Sequence, residues 1–147
     1  MFYTSPDQIF SYDFQGAICF CEHEGRILAL KRSLGCYEGG LWTAAPGGKL
    51  EKGETPLDGV LREVFEETAI RLDPKNIVWK ECYFFQFPDM EYGLHIFFST
   101  LKERPQVLLN PKEHTEFVWA SPSAVYQMPL MRGGKECLRS IFSLGIL

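Results

Sequence analysis

Residues 48–70 read GKLEKGETPLDGVLREVFEETAI, and this stretch carries the clearest helix signal in the chain. Thr55 can cap a helix, Pro56 suits the first helical position where no N–H is needed, and Asp58 favours the positive helix end. Apolar residues then recur at the spacing of one helical face, at Leu57, Val60, Leu61 and Val64. The stretch therefore predicts an amphipathic helix over residues 55–68.

A second face of the same helix carries the carboxylates of Glu63, Glu66 and Glu67, at positions i, i+3 and i+4. Like charges this close repel by a few tenths of a kcal/mol per pair when they are solvated. A divalent cation between them would turn repulsion into attraction, because Mg²⁺ binds one or two carboxylates together with substrate phosphate oxygens. The alternative is a solvated acidic face on which Arg62 forms a surface ion pair with Glu66.

The residues before the helix favour the cation. Residues 46–49 read PGGK, a loop whose glycines allow the backbone to approach a ligand closely, and Glu54 follows a few residues later. The segment 46–67 thus gathers backbone groups, a lysine and several acids. It predicts a site for a phosphate group and a metal ion, with Gly47 and Lys49 in contact with the substrate.

The rest of the chain predicts more strands than helices. Two hairpins are expected, one with strands 15–21 and 26–31 and one with strands 77–87 and 92–101 around a turn at 88–91. A loop at 33–40, an extended piece at 41–45, a strand at 116–120 and helices at 121–126 and 134–142 complete the pattern. These elements predict the α+β class, with a mixed sheet flanked by helices.

Composition limits the classes of function. The chain has 147 residues, 15 Lys and Arg against 19 Asp and Glu, a net charge of −4, and 46% apolar residues. This length and composition predict one folded domain over residues 1–147 and argue against disorder. No basic excess is available to bind a nucleic-acid polymer, whereas a small anionic ligand needs only a few cations or a metal ion.

The N-terminus and the cysteines indicate the compartment. Residues 1–13 lack a basic region followed by an apolar run, which predicts no signal peptide, and no window is apolar enough to span a bilayer. The five cysteines are odd in number and contain no Cys-x-x-Cys, so neither a disulfide framework nor a zinc site is indicated. Cys19 and Cys21 would share one strand face as a buried reduced pair. A cytoplasmic protein is expected.

The stretch 48–70 resembles the Nudix box, G-x5-E-x7-R-E-U-x-E-E-x-G-U, in which U is aliphatic. The matching residues are Gly48, Glu54, Arg62, Glu63, Val64, Glu66, Glu67 and Ile70. Ala69 stands where the family has a glycine, which would close the helix in a left-handed conformation. A match over so many fixed positions is specific.

The resemblance implies an α/β/α sandwich and an enzyme that cleaves a nucleoside diphosphate linked to another group, using Mg²⁺ or Mn²⁺. The implied metal ligands are Glu63, Glu66 and Glu67, assisted by the carbonyl region of Gly48. Arg62 would orient this acidic cluster, with Glu54 as its partner. The resemblance also places Arg32 near the substrate phosphates, and the alternative for Arg32 is a surface cation at a strand end.

A second segment, EHTEFVW at residues 113–119, resembles the E-H-x-x-aromatic-x-W segment of some Nudix enzymes, among them dihydroneopterin triphosphate hydrolases. Glu113 therefore competes with Glu63 and Glu67 for the role of general base, and its alternative is an exposed loop acid. His114 is expected to be a loop residue with satisfied hydrogen bonds, and Trp119 a core residue. Phe85, Phe87 and Tyr92 could stack on a nucleobase, but aromatic residues at strand spacing are usually core residues, and the core is expected here.

The favoured reaction converts a nucleoside triphosphate or a pterin triphosphate to a monophosphate and pyrophosphate. An ADP-sugar or a dinucleoside polyphosphate stays open as the substrate. Two other classes also stay open, a Nudix module that binds a nucleotide without cleaving it and a plain interaction domain. The expected partner is a small molecule, and the chain would act as a monomer or a homodimer, away from membranes.

Overall fold

A computed structural model describes residues 2–3 and 13–144 of the chain. Its elements, in chain order, are β1 (Phe2–Tyr3), β2 (Phe14–His23), β3 (Arg26–Arg32), β4 (Trp42–Thr43), β5 (Gly47–Lys49), α1 (Pro56–Thr68), a 3-10 turn (Pro74–Asn76), β6 (Ile77–Phe87), β7 (Met90–Thr100), β8 (His114–Ala120), α2 (Pro122–Tyr126) and α3 (Gly134–Phe142). Both predicted hairpins and all three predicted helices are confirmed. The expectations for residues 1 and 4–12 fall outside the described residues.

The strands form a mixed sheet in the order β1-β6-β7-β2-β3-β4, with β5 paired to β2 and β8 paired to β3. β2 and β7 are parallel, and the other strand pairs are antiparallel. β2 and β3 pair only beside their hairpin turn, at Glu22–Ile27 and His23–Arg26. Further along, β5 takes the edge of β2 and sets Gly48 opposite Ala17. This arrangement brings the loop before α1 into the centre of the sheet.

Alternating residues of β2 face two separate hydrophobic layers. Cys19 and Cys21 pack with Val60 and Val64 of α1, whereas Phe20 packs on the other face of the sheet in the cluster that contains Leu138 of α3. Period-two alternation in a central strand requires a covering layer on each face. The predicted α/β/α sandwich is confirmed, and all five cysteines are unpaired.

Three boundary details differ from the expectations. The second hairpin turns at residues 88–89, because Met90 already belongs to β7, and β8 begins two residues early, at His114. Leu57, expected on the apolar face of α1, is 36% exposed because it lies in the first turn, outside the layer formed by Val60 and Val64. Among the described residues, no helix is long and apolar enough to cross a membrane.

Candidate active site

Helix α1 begins and ends at the residues that its sequence signals mark. The Asp58 amide donates to Thr55 Oγ1 across 3.1 Å, and Pro56 occupies the first turn. The helix ends at Thr68, and Ala69 closes it in the left-handed region with φ 63°. An alanine adopts that conformation at a cost of about 1–2 kcal/mol. The helix end therefore keeps the geometry of the family's glycine without the glycine.

Glu67 is the most buried acid of α1, with 6% of its surface exposed. The Gly47 amide donates a hydrogen bond to its Oε1 across 2.9 Å and so ties the start of β5 to the helix. Burial raises the pKa of Glu67 to about 8, and the charges of Glu63 and Glu113 add to the effect. Without a cation nearby, this carboxyl group holds its proton at neutral pH.

Arg62 holds the other acids of the helix in place. Its Nη1 donates to Glu63 Oε1 across 2.8 Å and to Glu66 Oε2 across 3.1 Å, while Nε and Nη2 both donate to Glu54. The guanidinium lowers the pKa of Glu54 to about 2. Burial raises the pKa of Glu63, although Arg62 opposes the shift. The expected pairing of Arg62 with Glu54 is present, and so is the alternative contact with Glu66, which is exposed.

Two glycines of β5 leave no room for a side chain. A Cβ on Gly47 would lie 2.1 Å from the carbonyl oxygen of Ala17, and φ at Gly47 is +153°. A Cβ on Gly48 would lie 2.6 Å from Glu63 Oε2. The backbone of β5 therefore packs directly against the acids of α1, as the glycine-rich loop predicted.

Glu113 and His114 reach the same acids from the distant β8. The Ser33 amide donates to the Glu113 carbonyl oxygen across 2.9 Å and anchors this part of the chain beside β3. Ligand atoms of Glu67, Glu113 and His114 lie within 4.8 Å of one another. Two of the predicted acids, Glu67 and Glu113, are thus brought together. Glu66 is not part of this group and binds Arg62 from an exposed position, whereas Glu63 lies close enough to raise the pKa of Glu67.

The expectation for His114 is wrong. It is a strand residue, only 1% exposed, and neither ring nitrogen has a hydrogen-bond partner within the described part of the chain. Burial lowers the pKa of His114 to about 4, and the charge of Arg32 adds to the effect, so the imidazole is neutral with a free lone pair. The cause is the pairing of β8 with β3, which sets His114 opposite Arg32. No local pattern in the sequence reveals that pairing.

This donor set fits a divalent cation. Carboxylate oxygens suit Mg²⁺ and Mn²⁺, whereas an imidazole nitrogen favours transition metals. The unpartnered ring of His114 and the raised pKa of Glu67 are both costs that a cation would relieve. The residues present could therefore hold Mg²⁺ through their oxygens, or Mn²⁺ with the nitrogen included.

A cavity of about 600 Å³ adjoins β5. Its walls include all of the predicted substrate contacts, namely Arg32, Gly47 and Lys49, together with Gly48. Arg32 donates a hydrogen bond from its Nε to the Tyr37 carbonyl oxygen. It therefore differs from the alternative of a surface cation at a strand end, because it is bonded to the chain and lines the cavity. The cavity places two cations and two backbone glycines beside the acids of α1.

Aromatic residues form another part of the cavity wall. Tyr92 stacks on Phe14 with ring centroids 4.7 Å apart and on Phe85 at 5.0 Å, and the Lys49 ammonium lies 4.5 Å from the Phe14 ring centroid. Phe85 and Trp119 are core residues, as expected, whereas Tyr92 lines the cavity. Sequence reasoning missed most of the other lining residues, among them Tyr37, Glu38, Met131 and Arg132.

The candidate site thus combines carboxylates of one helix with a glycine-rich strand, in a mixed sheet that lies between helices. A family model described as "NUDIX domain" matches residues 15–140 of the chain. The chain therefore belongs to the Nudix family.

Known proteins resemble the chain over different lengths. A "MutT-like protein" of Streptomyces ambofaciens is 50% identical over 70 residues, which span 48% of this chain and 40% of that protein. An "8-oxo-dGTP diphosphatase" of Proteus vulgaris is 35% identical over 80 residues, 54% of this chain and 69% of the relative. The crystal structure of a MutT protein from Methanosarcina mazei Go1 superposes with a TM-score of 0.75 at 26% identity, covering 90% of this chain and 94% of that one.

Proposed function

We propose that the protein hydrolyses the diphosphate linkage of a nucleoside diphosphate joined to a further group, with a divalent metal ion as cofactor. The favoured substrate is a nucleoside or pterin triphosphate, and the products are a monophosphate and pyrophosphate. One observation carries the proposal. The buried Glu67, the Glu113 carboxylate and the unpartnered His114 ring converge beside a cavity lined by glycine backbone and two cations.

The chain's own residues supply binding and orientation. Lys49 and Arg32 would neutralise phosphate oxygens, and the backbone of Gly47 and Gly48 allows the phosphates to approach the sheet. Water attacks the phosphorus atom of the linkage, the bond to the bridging oxygen breaks, and pyrophosphate leaves with that oxygen. A carboxylate must take the proton of the attacking water.

Glu113 is the general base that the geometry favours. Glu67 is fixed by the Gly47 amide and Glu63 by Arg62, whereas the Glu113 side chain is exposed and can meet a water molecule. Glu67, Glu63 and His114 would then be ligands of the metal ion. Such an ion, when bound, offsets phosphate charge and acidifies a water molecule.

The comparisons support the reaction class. The Proteus vulgaris relative is named for cleavage of a modified purine nucleoside triphosphate, and its match includes 69% of its own length. The match to the Streptomyces ambofaciens protein covers only 40% of that protein. The residues of the site therefore carry more of the support for the activity than this relative does.

Release of phosphate from a substrate panel tests the proposal. Pyrophosphatase is added for the triphosphates, and alkaline phosphatase is added for the nucleotide sugars and dinucleoside polyphosphates, whose products carry terminal phosphate groups and include no pyrophosphate. The panel contains nucleoside triphosphates, a pterin triphosphate, nucleotide sugars and dinucleoside polyphosphates, each with and without Mg²⁺ or Mn²⁺. Glu67→Gln should lower kcat by about 100-fold or more while keeping the hydrogen bond from Gly47. Glu116→Gln, an exposed acid on the same β8, is the control and should keep full activity. Full activity of Glu67→Gln would contradict the proposal.

Other outcomes identify the alternatives. Turnover of nucleotide sugars or dinucleoside polyphosphates alone would change the proposed substrate class but would still support hydrolysis of a diphosphate linkage. Nucleotide binding by calorimetry without product would indicate a sensing module. We further propose a reducing, cytoplasmic environment, which the five unpaired cysteines support, and a monomer or homodimer that binds a small nucleotide rather than a nucleic-acid polymer.

A further inference from the structure

Glu38 lines the cavity, and one of its carboxylate oxygens has no hydrogen-bond partner among the described residues. Its side chain is 17% exposed, and its backbone adopts a positive φ of 52°. The Arg132 amide donates to Oε2 across 3.1 Å, whereas Oε1 is buried with no hydrogen-bond partner in residues 13–144. A buried acceptor that lacks a donor is costly, so the position favours a ligand that brings one.

The nearest cation does not satisfy this oxygen. Arg132 Nε lies 3.6 Å from Glu38 Oε1, beyond hydrogen-bond distance. The Nη1 and Nη2 atoms of Arg132 donate instead to the two carboxylate oxygens of Asp89, across 2.8 and 2.9 Å. The guanidinium also lies 4.3 Å from the ring centroid of Phe87. Arg132 is therefore held by its other partners, and Glu38 Oε1 stays without a hydrogen-bond donor.

The surroundings restrict the chemistry of that ligand. An ionised carboxylate only accepts hydrogen bonds, and each oxygen has two lone pairs, so Oε2 can take a second donor besides the Arg132 amide. The stacked rings of Tyr92 and Phe14 line the same cavity and suit a flat heterocycle. The best partner is an aromatic ring with two adjacent N–H donors.

We infer that Glu38 recognises the edge formed by a 2-amino group and the neighbouring ring N–H, which guanine and pterin rings share. Adenine and cytosine present an amino group beside a ring nitrogen acceptor, which a carboxylate repels, and uracil presents a single N–H between two carbonyl groups. The inference rests on the proposed function, because it assigns a substrate class to the same cavity.

Removal of one ligand donor tests the pairing. Inosine triphosphate keeps the ring N–H of guanosine triphosphate and lacks its 2-amino group. Loss of a hydrogen bond to a charged partner predicts that kcat/KM is about 10- to 100-fold higher for guanosine triphosphate than for inosine triphosphate. Glu38→Gln exchanges one acceptor oxygen for an amide donor and should reduce that ratio to near one, mainly through KM.

Two further variants separate recognition from folding. Glu24→Gln changes another glutamate at positive φ, at the exposed turn between β2 and β3, and should leave the ratio unchanged. If Glu38→Gln melts at a lower temperature than the wild type, Glu38→Asn serves as a second variant, because asparagine tolerates positive φ. It should also lose the preference for guanosine triphosphate over inosine triphosphate. A wild-type ratio near one, or an unchanged ratio in folded Glu38 variants, would overturn the inference.

Further substrates show whether the recognised ring is a guanine or a pterin, and a binding measurement tests the inference separately from the proposed hydrolysis. Dihydroneopterin triphosphate and deoxyguanosine triphosphate share the recognised edge, so the larger kcat/KM identifies the source. A preference for adenosine triphosphate over both would contradict recognition by Glu38. If no compound is hydrolysed, calorimetry with the α,β-methylene analogues of guanosine and inosine triphosphate measures the same preference in binding. Preferential binding without turnover would keep the inference and refute hydrolysis.

Discussion

Arg62 and Glu54 are joined by two hydrogen bonds, from Nε to Oε2 at 2.7 Å and from Nη2 to Oε1 at 2.9 Å. The same guanidinium holds Glu63 against β5, so Glu54 fixes an acid of the site that it does not itself touch. We expect Glu54→Gln to lower kcat about tenfold with a smaller change in KM. Glu51→Gln is the control, because Glu51 lies 3.8 Å from Arg62 Nε and is exposed. Equal losses in both variants would contradict this role.

Gly47 and Gly53 both have positive φ but differ in their surroundings. A Cβ on Gly47 meets backbone at 2.1 Å, whereas a Cβ on Gly53 has nothing within 4 Å. Gly47→Ala should therefore lower the free energy of unfolding by about 3 kcal/mol or more, and Gly53→Ala by only about 1–2 kcal/mol. Urea unfolding measures both values. A Gly47→Ala variant as stable as Gly53→Ala would show that β5 can move away from β2.

Ala69 is a position where the family's glycine should improve stability. Ala69→Gly relieves the left-handed conformation, and the gain, less the added flexibility of the unfolded chain, is about 0.5–1 kcal/mol. The expected rise in Tm is about 2–3 °C, with unchanged kcat. Ala124→Gly, at an exposed helical position of α2, should instead lower Tm. A fall in Tm for Ala69→Gly would refute this account of the helix end.

The buried ring of His114 should contribute to metal affinity. Titration of Mn²⁺, followed by the electron paramagnetic resonance of the free ion, should give a Kd about tenfold weaker for His114→Ala than for the wild type. The Mg²⁺ affinity should change less, because Mg²⁺ prefers oxygen ligands. His23→Ala, on the β2–β3 hairpin, is the control. Unchanged Mn²⁺ binding by a folded His114→Ala protein would exclude the nitrogen from the site.

Protonation of the buried His95 should destabilise the fold in mild acid. Trp79 Nε1 can only donate, and it donates to His95 Nδ1 across 3.2 Å, so His95 carries its proton on Nε2 and donates it to Gln15 Oε1 across 2.9 Å. Burial lowers the pKa of His95 below its ordinary value of 6.5. The unfolded chain therefore binds a proton at this residue first as the pH falls, and the contribution of His95 to the free energy of unfolding decreases below pH 6.5.

Urea unfolding of the wild type and of His95→Gln between about pH 7 and about pH 5 measures this contribution as the difference between the two proteins. His95→Gln can keep both hydrogen bonds but cannot titrate, so the wild type should lose stability relative to this variant as the pH falls. The net dependence of each protein also includes His114, whose pKa burial lowers to about 4, and Glu67, whose raised pKa of about 8 acts in the opposite direction. Identical slopes in the wild type and in His95→Gln would show that His95 does not contribute.

The sequence predicted the parts of the site that depend on local order. The start of α1 follows from Thr55 and Pro56, and the pairing of Arg62 with Glu54 follows from the family motif, because both lie within one continuous stretch. The close approach of β5 to α1 follows from its glycines. These features need no knowledge of how distant strands pair.

The missing parts depend on contacts between distant segments. His114 enters the site because β8 pairs with β3, and Glu38 lines the cavity beside Arg132, which lies 94 residues away in the chain. The EHTEFVW segment drew attention to this region but did not reveal that His114 is buried and unpartnered, and Glu38 carries no local signal, since a glutamate in a loop is usually solvated. The exposure of Leu57 has a similar cause, because helical spacing does not reveal which turn the sheet covers.

The acids of the reaction centre sit on α1 and at the start of β8, whereas Glu38, Asp89 and Arg132 belong to three connections between other elements. Connecting segments tolerate exchange far better than packed helices and strands do. If Glu38 recognises the substrate ring as inferred, an engineer who grafts these three connections from another relative should be able to redirect substrate choice without changing the acids of α1.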